Sequence, residues 1–188
     1  PDGAAGRTLP GNFVWFDLAT EDPAAARAFY GAVFGWKFRD AGTAAMPYTV
    51  IEHAGGKLGG RFHASRPAGA AVGARWLSLV SVPDAAKAAR CVRDAGGQVV
   101  VPPRAVAGRG THAVFRDPEG AVFGVLAAEE GDPPDAPVAD GDVFWLDLFA
   151  RDPAKAARFY AGLAGYEVSE PDRDAGIPRW ILATGGDA

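Results

Sequence analysis

The sequence predicts an α+β protein assembled from repeated βαβββ modules. Two observations carry that prediction. Residues 13–38 recur as residues 143–168 without a gap, and residues 76–127 repeat the same order of elements with little residue identity. In both places one helical pattern is followed by several short strands joined by turns, not by a regular alternation of strand and helix.

The recurring stretch reads FVWFDLATEDPAAARAFYGAVFGWKF in its first copy and VFWLDLFARDPAKAARFYAGLAGYEV in its second. One offset aligns Trp15 with Trp145, Asp17 with Asp147, Asp22-Pro23 with Asp152-Pro153, Phe29-Tyr30 with Phe159-Tyr160, and Gly35 with Gly165. Ungapped agreement of this kind means that each position meets the same packing demand twice. Residues 13–18 alternate as a strand. Asp22 then supplies an N-cap oxygen and Pro23 occupies the first helical position, where a missing N–H costs nothing. Ala26, Phe29, Tyr30, Val33 and Phe34 fall at i, i+3, i+4, i+7 and i+8, one apolar helix face, and Gly35 closes the helix. Strands are predicted at 36–39, 48–53 and 58–63, the last two joined across Ala54-Gly55-Gly56-Lys57.

In the second module a strand is predicted at 76–82, a helix capped by Asp84 and ended by Gly96-Gly97, and a strand at 98–101. A hairpin of 111–116 and 121–126 then turns on Asp117-Pro118-Glu119-Gly120, with Pro and Gly where a type I turn prefers them. The stretch Glu129-Glu130-Gly131-Asp132-Pro133-Pro134-Asp135 has no apolar periodicity and reads as a linker. The expected organisation is a complete pair of modules over 11–128, a linker over 129–141, and a third, incomplete module over 142–188. A lone module leaves one apolar sheet face bare. The third is therefore expected to dock on the second, to pair with another chain, or to belong to a longer protein.

Composition narrows the function classes. With 19 basic and 23 acidic side chains the net charge is −4, which argues against nucleic acid as a partner. No stretch approaches the roughly 20 apolar residues that span a bilayer. Cys91 is the single cysteine, so no internal disulfide forms. The chain starts at Pro, not Met. The compartment stays open between the cytoplasm, which is favoured, and export.

The motif W-x-D-L-x(3)-D-P-x(5)-FY-x(4)-G-[WY], present twice, and Phe115-Arg116-Asp117-Pro118-Glu119-Gly120-Ala121-Val122-Phe123 resemble the vicinal oxygen chelate superfamily. That group includes glyoxalase I, bleomycin-resistance proteins and extradiol dioxygenases. The resemblance covers 11–128 in full and 142–183 in part. It implies paired βαβββ modules whose mixed sheet closes into a cup, with helices outside and a ligand site in the hollow. Metal-dependent members place an inward His or Glu on the first and last strand of each module. The matching positions here are Trp15, Leu77, Gly124, a position near Gly60, and Trp145 in the third module. None of these side chains ligates a divalent cation, so neither metal nor cofactor is expected.

Strand parity then points Phe13, Trp15 and Asp17 into the hollow, with Leu77, Leu79 and Ser81, and with Val122, Gly124 and Leu126. An apolar wall with few polar groups is the usual make-up of a small-molecule pocket. Gly60 and Gly124 are expected to leave room for a flat molecule against Trp15. Asp17 reads either as an anchor or general base, and so as the candidate catalytic group, or as a carboxylate paired with Arg61, Arg116 or a backbone N–H. His53, His63 and His112 match no metal spacing and read as solvent-facing strand-end residues, unless His63 and His112 meet across the cup with Glu52 or Asp17. Cys91 reads as a small buried hydrophobe, and Phe29, Tyr30, Phe159 and Tyr160 as core residues. Gly55-Gly56 and Gly96-Gly97 read as turns and caps, and Gly108-Arg109-Gly110 as a loop at the cup mouth.

The favoured function is a metal-free module that binds a small apolar or aromatic metabolite. The alternative is a superfamily enzyme (lyase, isomerase, hydroxylase or dioxygenase) with a non-standard metal or Asp-based site. A structural reading treats the cup as an assembly interface completed by a missing fourth module or by another subunit, as in a homodimer.

Overall fold

The computed structural model describes residues 6–41, 48–54, 56–63, 74–106, 108–134, 137–169 and 179–185. The fold class is α+β, with three helices among the described residues. The chain divides into two compact bodies. One comprises Trp15–Ser78 with Asp135–Leu146, the other Pro1–Val14, Leu79–Pro134 and Asp147–Ala188.

In the first body, β1 (Phe13–Thr20) from Trp15 onward, β2 (Lys37–Asp40), β3 (Tyr48–His53) and β4 (Gly56–His63) stand in the order β2-β3-β4-β1. The β1–β4 ladder is parallel, aligning Phe16 with Gly59 and Asp17 with Gly60. Gly59 is required by this approach, because a Cβ there would overlap the Phe16 carbonyl oxygen. Helix α1 (Pro23–Phe34) starts where the Asp22 carboxylate accepts the Ala25 N–H at 2.9 Å. It ends where Gly35 takes a φ of 70° and donates to Gly31 O. Arg27 shows which sheet face the helix lies on: its guanidinium stands 5.8 Å from the Phe38 ring centroid and 2.7 Å from Asp40.

The predicted apolar face of α1 is present but largely uncovered. No α1 residue is buried, and Phe29 is 59 % exposed. Tyr30 instead joins an aromatic group, stacking on Trp36 at 5.3 Å and accepting the Trp76 indole N–H at 2.9 Å. The core role expected of Phe29 is therefore corrected: among the described residues its ring meets Tyr30 edge-on at 5.1 Å and otherwise stays largely exposed.

The second body holds the end of β5 (Arg75–Ser81), α2 (Ala85–Asp94), β6 (Gln98–Val106), β7 (Gly110–Arg116) and β8 (Val122–Ala128), with strand order β5-β8-β7-β6. Asp84 caps α2 by accepting from Ala86 and Lys87 N–H. Ala85, Ala88, Ala89 and Val92 pack on Ala113, Phe115, Phe123 and Val125 to form the core. β6 runs on through Pro102-Pro103 beyond its predicted end at residue 101. It is an edge strand with register shifts there, where a missing N–H is tolerated.

Helix α3 (Pro153–Ala164) has the local sequence of α1 but a different fate. Phe159 is 8 % exposed, in the α2 core and 6.2 Å from Phe123. The turn at 117–120 holds this helix. The Tyr160 hydroxyl donates to Asp117 Oδ2 at 3.0 Å, and the Glu119 carboxylate accepts the N–H groups of Arg151 and Asp152 at 2.7 and 2.9 Å. Asp117 Oδ1 meanwhile accepts the N–H groups of Glu119 and Ala121, closing its own hairpin.

The first strand expected of the third module is not formed. Residues 143–148 make no ladder, and Phe144 and Trp145 are 73 % and 57 % exposed. β9 (Glu167–Ser169) and β10 (Ile181–Ala183) pair as β2 and β3 do, but among the described residues no strand takes the part that β4 plays for β1.

Candidate functional site

The sheet face opposite α1 carries a closed polar triad. Tyr48 and Val50 on β3 and Trp15 and Asp17 on β1 share this face by strand alternation and register, with Gly60 between Asp17 and Val50. Asp17 is 5 % exposed. Its Oδ1 accepts the Trp15 indole N–H at 2.9 Å and the Tyr48 hydroxyl at 2.9 Å. The same indole N–H also lies 3.0 Å from the Tyr48 oxygen. An indole and a phenol are thus partners of Asp17 that the sequence did not suggest, and the Arg61 side chain, one of those it did, lies outside the described residues. Tyr48 was not a sequence candidate. Its membership depends on the β3–β4–β1 register, which local pattern does not reveal.

The other sequence candidates divide between the bodies. Leu77 is half-buried in the first. In the second, Phe13 is 46 % exposed, while Leu79 and Leu126 are buried. Val122 is half-buried, and Gly124 lies opposite Leu79 in the β5–β8 ladder. A Cβ at Gly124 would stand 2.9 Å from Leu79 Cγ, so the space that this glycine leaves is taken by leucine. Ser81 is fully buried and donates to Asp132 Oδ2, which also accepts Leu9 N–H at 2.6 Å.

The side chains at the positions that the resemblance assigns to metal ligands offer no lone pair suited to a divalent cation. The Trp15 nitrogen is a donor, and Leu77 and glycine offer no ligand atom. Among the described residues no three His, Cys, Asp or Glu side chains gather. His53 corrects the solvent-facing expectation: Nδ1 lies 2.7 Å from Asp142 Oδ1, with the two side chains 15 % and 22 % exposed. This hydrogen bond, aided by the Ala139 N–H, holds the Asp142 carboxyl below the usual range. Gly141 alongside accepts the Trp36 indole N–H at 2.9 Å. His112 is half-buried, and the side chains of Arg61 and His63 lie outside the described residues, as does Gly55. Cys91 is only partly buried. Gly110, in the loop assigned to the cup mouth, serves strand approach: a Cβ would overlap the Ala127 carbonyl.

Residues 12–125 match the profile described as the Glyoxalase/Bleomycin resistance protein/Dioxygenase superfamily. The anthracycline biosynthesis protein DauV of Streptomyces sp. (strain C5) is 31 % identical over 183 residues, covering 89 % of this chain and 65 % of that protein. A putative glyoxylase, CFP32, of Mycobacterium tuberculosis is 35 % identical over 117 residues, covering 62 % of this chain and 44 % of its own length. The chain therefore spans less than two thirds of these relatives. Among solved structures, the Mn(II)-bound glyoxalase from Novosphingobium aromaticivorans aligns with a TM-score of 0.60 at 20 % identity, over 87 % of this chain and 55 % of that one. A variant of homoprotocatechuate 2,3-dioxygenase from B.fuscum gives 0.62 at 17 % identity, over 99 % and 54 %. At such identities these two speak for the fold alone.

Proposed function

The chain belongs to the glyoxalase/bleomycin resistance protein/dioxygenase superfamily, and from that premise we propose that it binds a flat, largely apolar aromatic metabolite against the Trp15 indole, without a metal. The observation that carries this reading is the indole itself. It occupies a position where metal-dependent members hold a ligand atom, and its N–H is tied down by Asp17 and Tyr48. A rigid aromatic surface of this kind recognises a ring by area and stacking, at little cost in side-chain entropy. Similarity to a protein named for anthracycline biosynthesis favours a polycyclic ligand. The polar groups placed beside the indole among the described residues, a carboxylate and a phenol, are suited to orienting such a ligand.

A second reading makes the site catalytic. The Tyr48 hydroxyl donates to a buried carboxylate, so Asp17 is placed to accept a phenol proton while Tyr48 takes one from a bound substrate. Both readings are tested by titrating the protein with an anthracycline while following tryptophan emission. The chain has five tryptophans, so quenching should be partial in the parent and should lose its saturable part in Trp15→Ala. Elemental analysis of the same preparation decides the metal question. A stoichiometric metal whose removal abolishes binding would overturn the metal-free reading.

A further inference from the structure

We infer that Asp17 and Tyr48 are positioning residues that lock and polarise the Trp15 indole, so that the site selects electron-poor planar rings, of which quinones are the type, over electron-rich rings of the same outline. This rests on the binding role proposed above and gives that site its ligand class.

Three bonds close on one another. The indole N–H is shared between Asp17 Oδ1 at 2.9 Å and the Tyr48 oxygen at 3.0 Å, and the Tyr48 hydroxyl donates to the same Oδ1 at 2.9 Å. A single N–H held at two points fixes the position of Nε1 and the direction in which the indole edge points. The acceptor is a carboxylate that is 5 % exposed, whereas Trp15 is only half-buried. An approaching ligand therefore meets the indole before it meets the charge, which separates this role from that of an anchor for a cationic group.

The charge still acts through the ring. A hydrogen bond to an ionised acceptor is stronger than a neutral one, and in a poorly solvated setting bonded groups polarise each other. Donation from Nε1 to a carboxylate leaves more electron density on the indole π-face, which is already the negative part of its quadrupole. Such a face attracts a ring depleted of electrons by carbonyl groups and gains less from an unsubstituted arene. Tyr48 contributes by holding Oδ1 in line with Nε1.

The test compares anthraquinone sulfonate with anthracene sulfonate, which share three fused rings and one negative charge, by calorimetric titration of the whole chain. The expected result is about a threefold or greater preference for the quinone, the size of a modest cation–π effect. Asp17→Asn, which keeps an acceptor oxygen but loses the charge, should bring the two affinities together mainly by weakening the quinone. Tyr48→Phe should narrow the ratio less. Equal affinities in the parent, with quenching that still depends on Trp15, would overturn the selectivity while leaving the binding role intact. Failure of both probes and of the anthracycline to bind would overturn both. Because the parent ratio needs no variant, a poorly folded Asp17→Asn protein does not shield the inference.

Discussion

Phe29 and Phe159 occupy the same place in two copies of one sequence, yet 59 % of the first and 8 % of the second is exposed. Truncating each to alanine should therefore have unequal costs. The exposure difference is half of a residue whose full burial covers about 200 Å², or about 100 Å². At ~25 cal/mol/Å² this corresponds to ~2.5 kcal/mol. Phe159→Ala also leaves a hole beside Phe123 and Val92, and large truncations in a packed core cost about 3–5 kcal/mol. Phe29→Ala should cost less than Phe159→Ala by about that area term. Urea denaturation followed by circular dichroism measures both, with attention to whether the two bodies unfold in one transition or two. Equal losses, or a larger loss for Phe29→Ala, would refute the claim that α3 is seated on the α2 core while Phe29 on α1 is largely exposed.

Three further outcomes follow from the same geometry. Burial, and then the charge and hydrogen bond of Asp117, push the Tyr160 phenol above its ordinary pKa of about 10. The neutral phenol therefore contributes stability that is complete below pH ~10 and declines as pH rises toward the folded value. Alkaline unfolding monitored at the tyrosinate band should show this decline, and Tyr160→Phe should blunt it while costing about 1–2 kcal/mol at neutral pH. The Asp142 carboxyl is depressed, so its contribution is present above pH ~4 and lost as pH falls through its lowered value. NMR titration of that carboxyl in His53→Ala should find it returned toward the ordinary range. Gly59→Ala should destabilise more than Gly124→Ala, because the first inserts a Cβ into a backbone carbonyl and the second into a leucine side chain that can shift, and melting curves of the two variants decide the order.

Local chemistry made the helices legible. Asp22, Asp84 and Asp152 cap where their side chains meet bare N–H groups, and Pro23 and Pro153 stand at the first turns. The hairpin at Asp117-Pro118-Glu119-Gly120 was equally plain, since its turn residues are dictated within four positions. What failed was whatever depends on a distant partner. The alternation of 143–148 matches that of β1, but a strand exists only when another strand supplies its hydrogen bonds. Phe29 and Phe159 are identical in pattern and differ in what packs over them. At the candidate site Trp15 and Asp17 were accessible to strand parity, whereas Tyr48 enters through a register spanning three strands. Likewise the partner of His53 lies 89 residues away along the chain.

The tetrapeptide at 117–120 is more than a connector between β7 and β8. Its two carboxylates hold the entry of α3 through Arg151 and Asp152 and its middle through Tyr160. Swapping it for an Asn-Gly reversal would still close the hairpin, yet would leave the following helix held by its core contacts alone. In loop-grafting terms the two acids form a rivet, and the reversal is not interchangeable with others of its class.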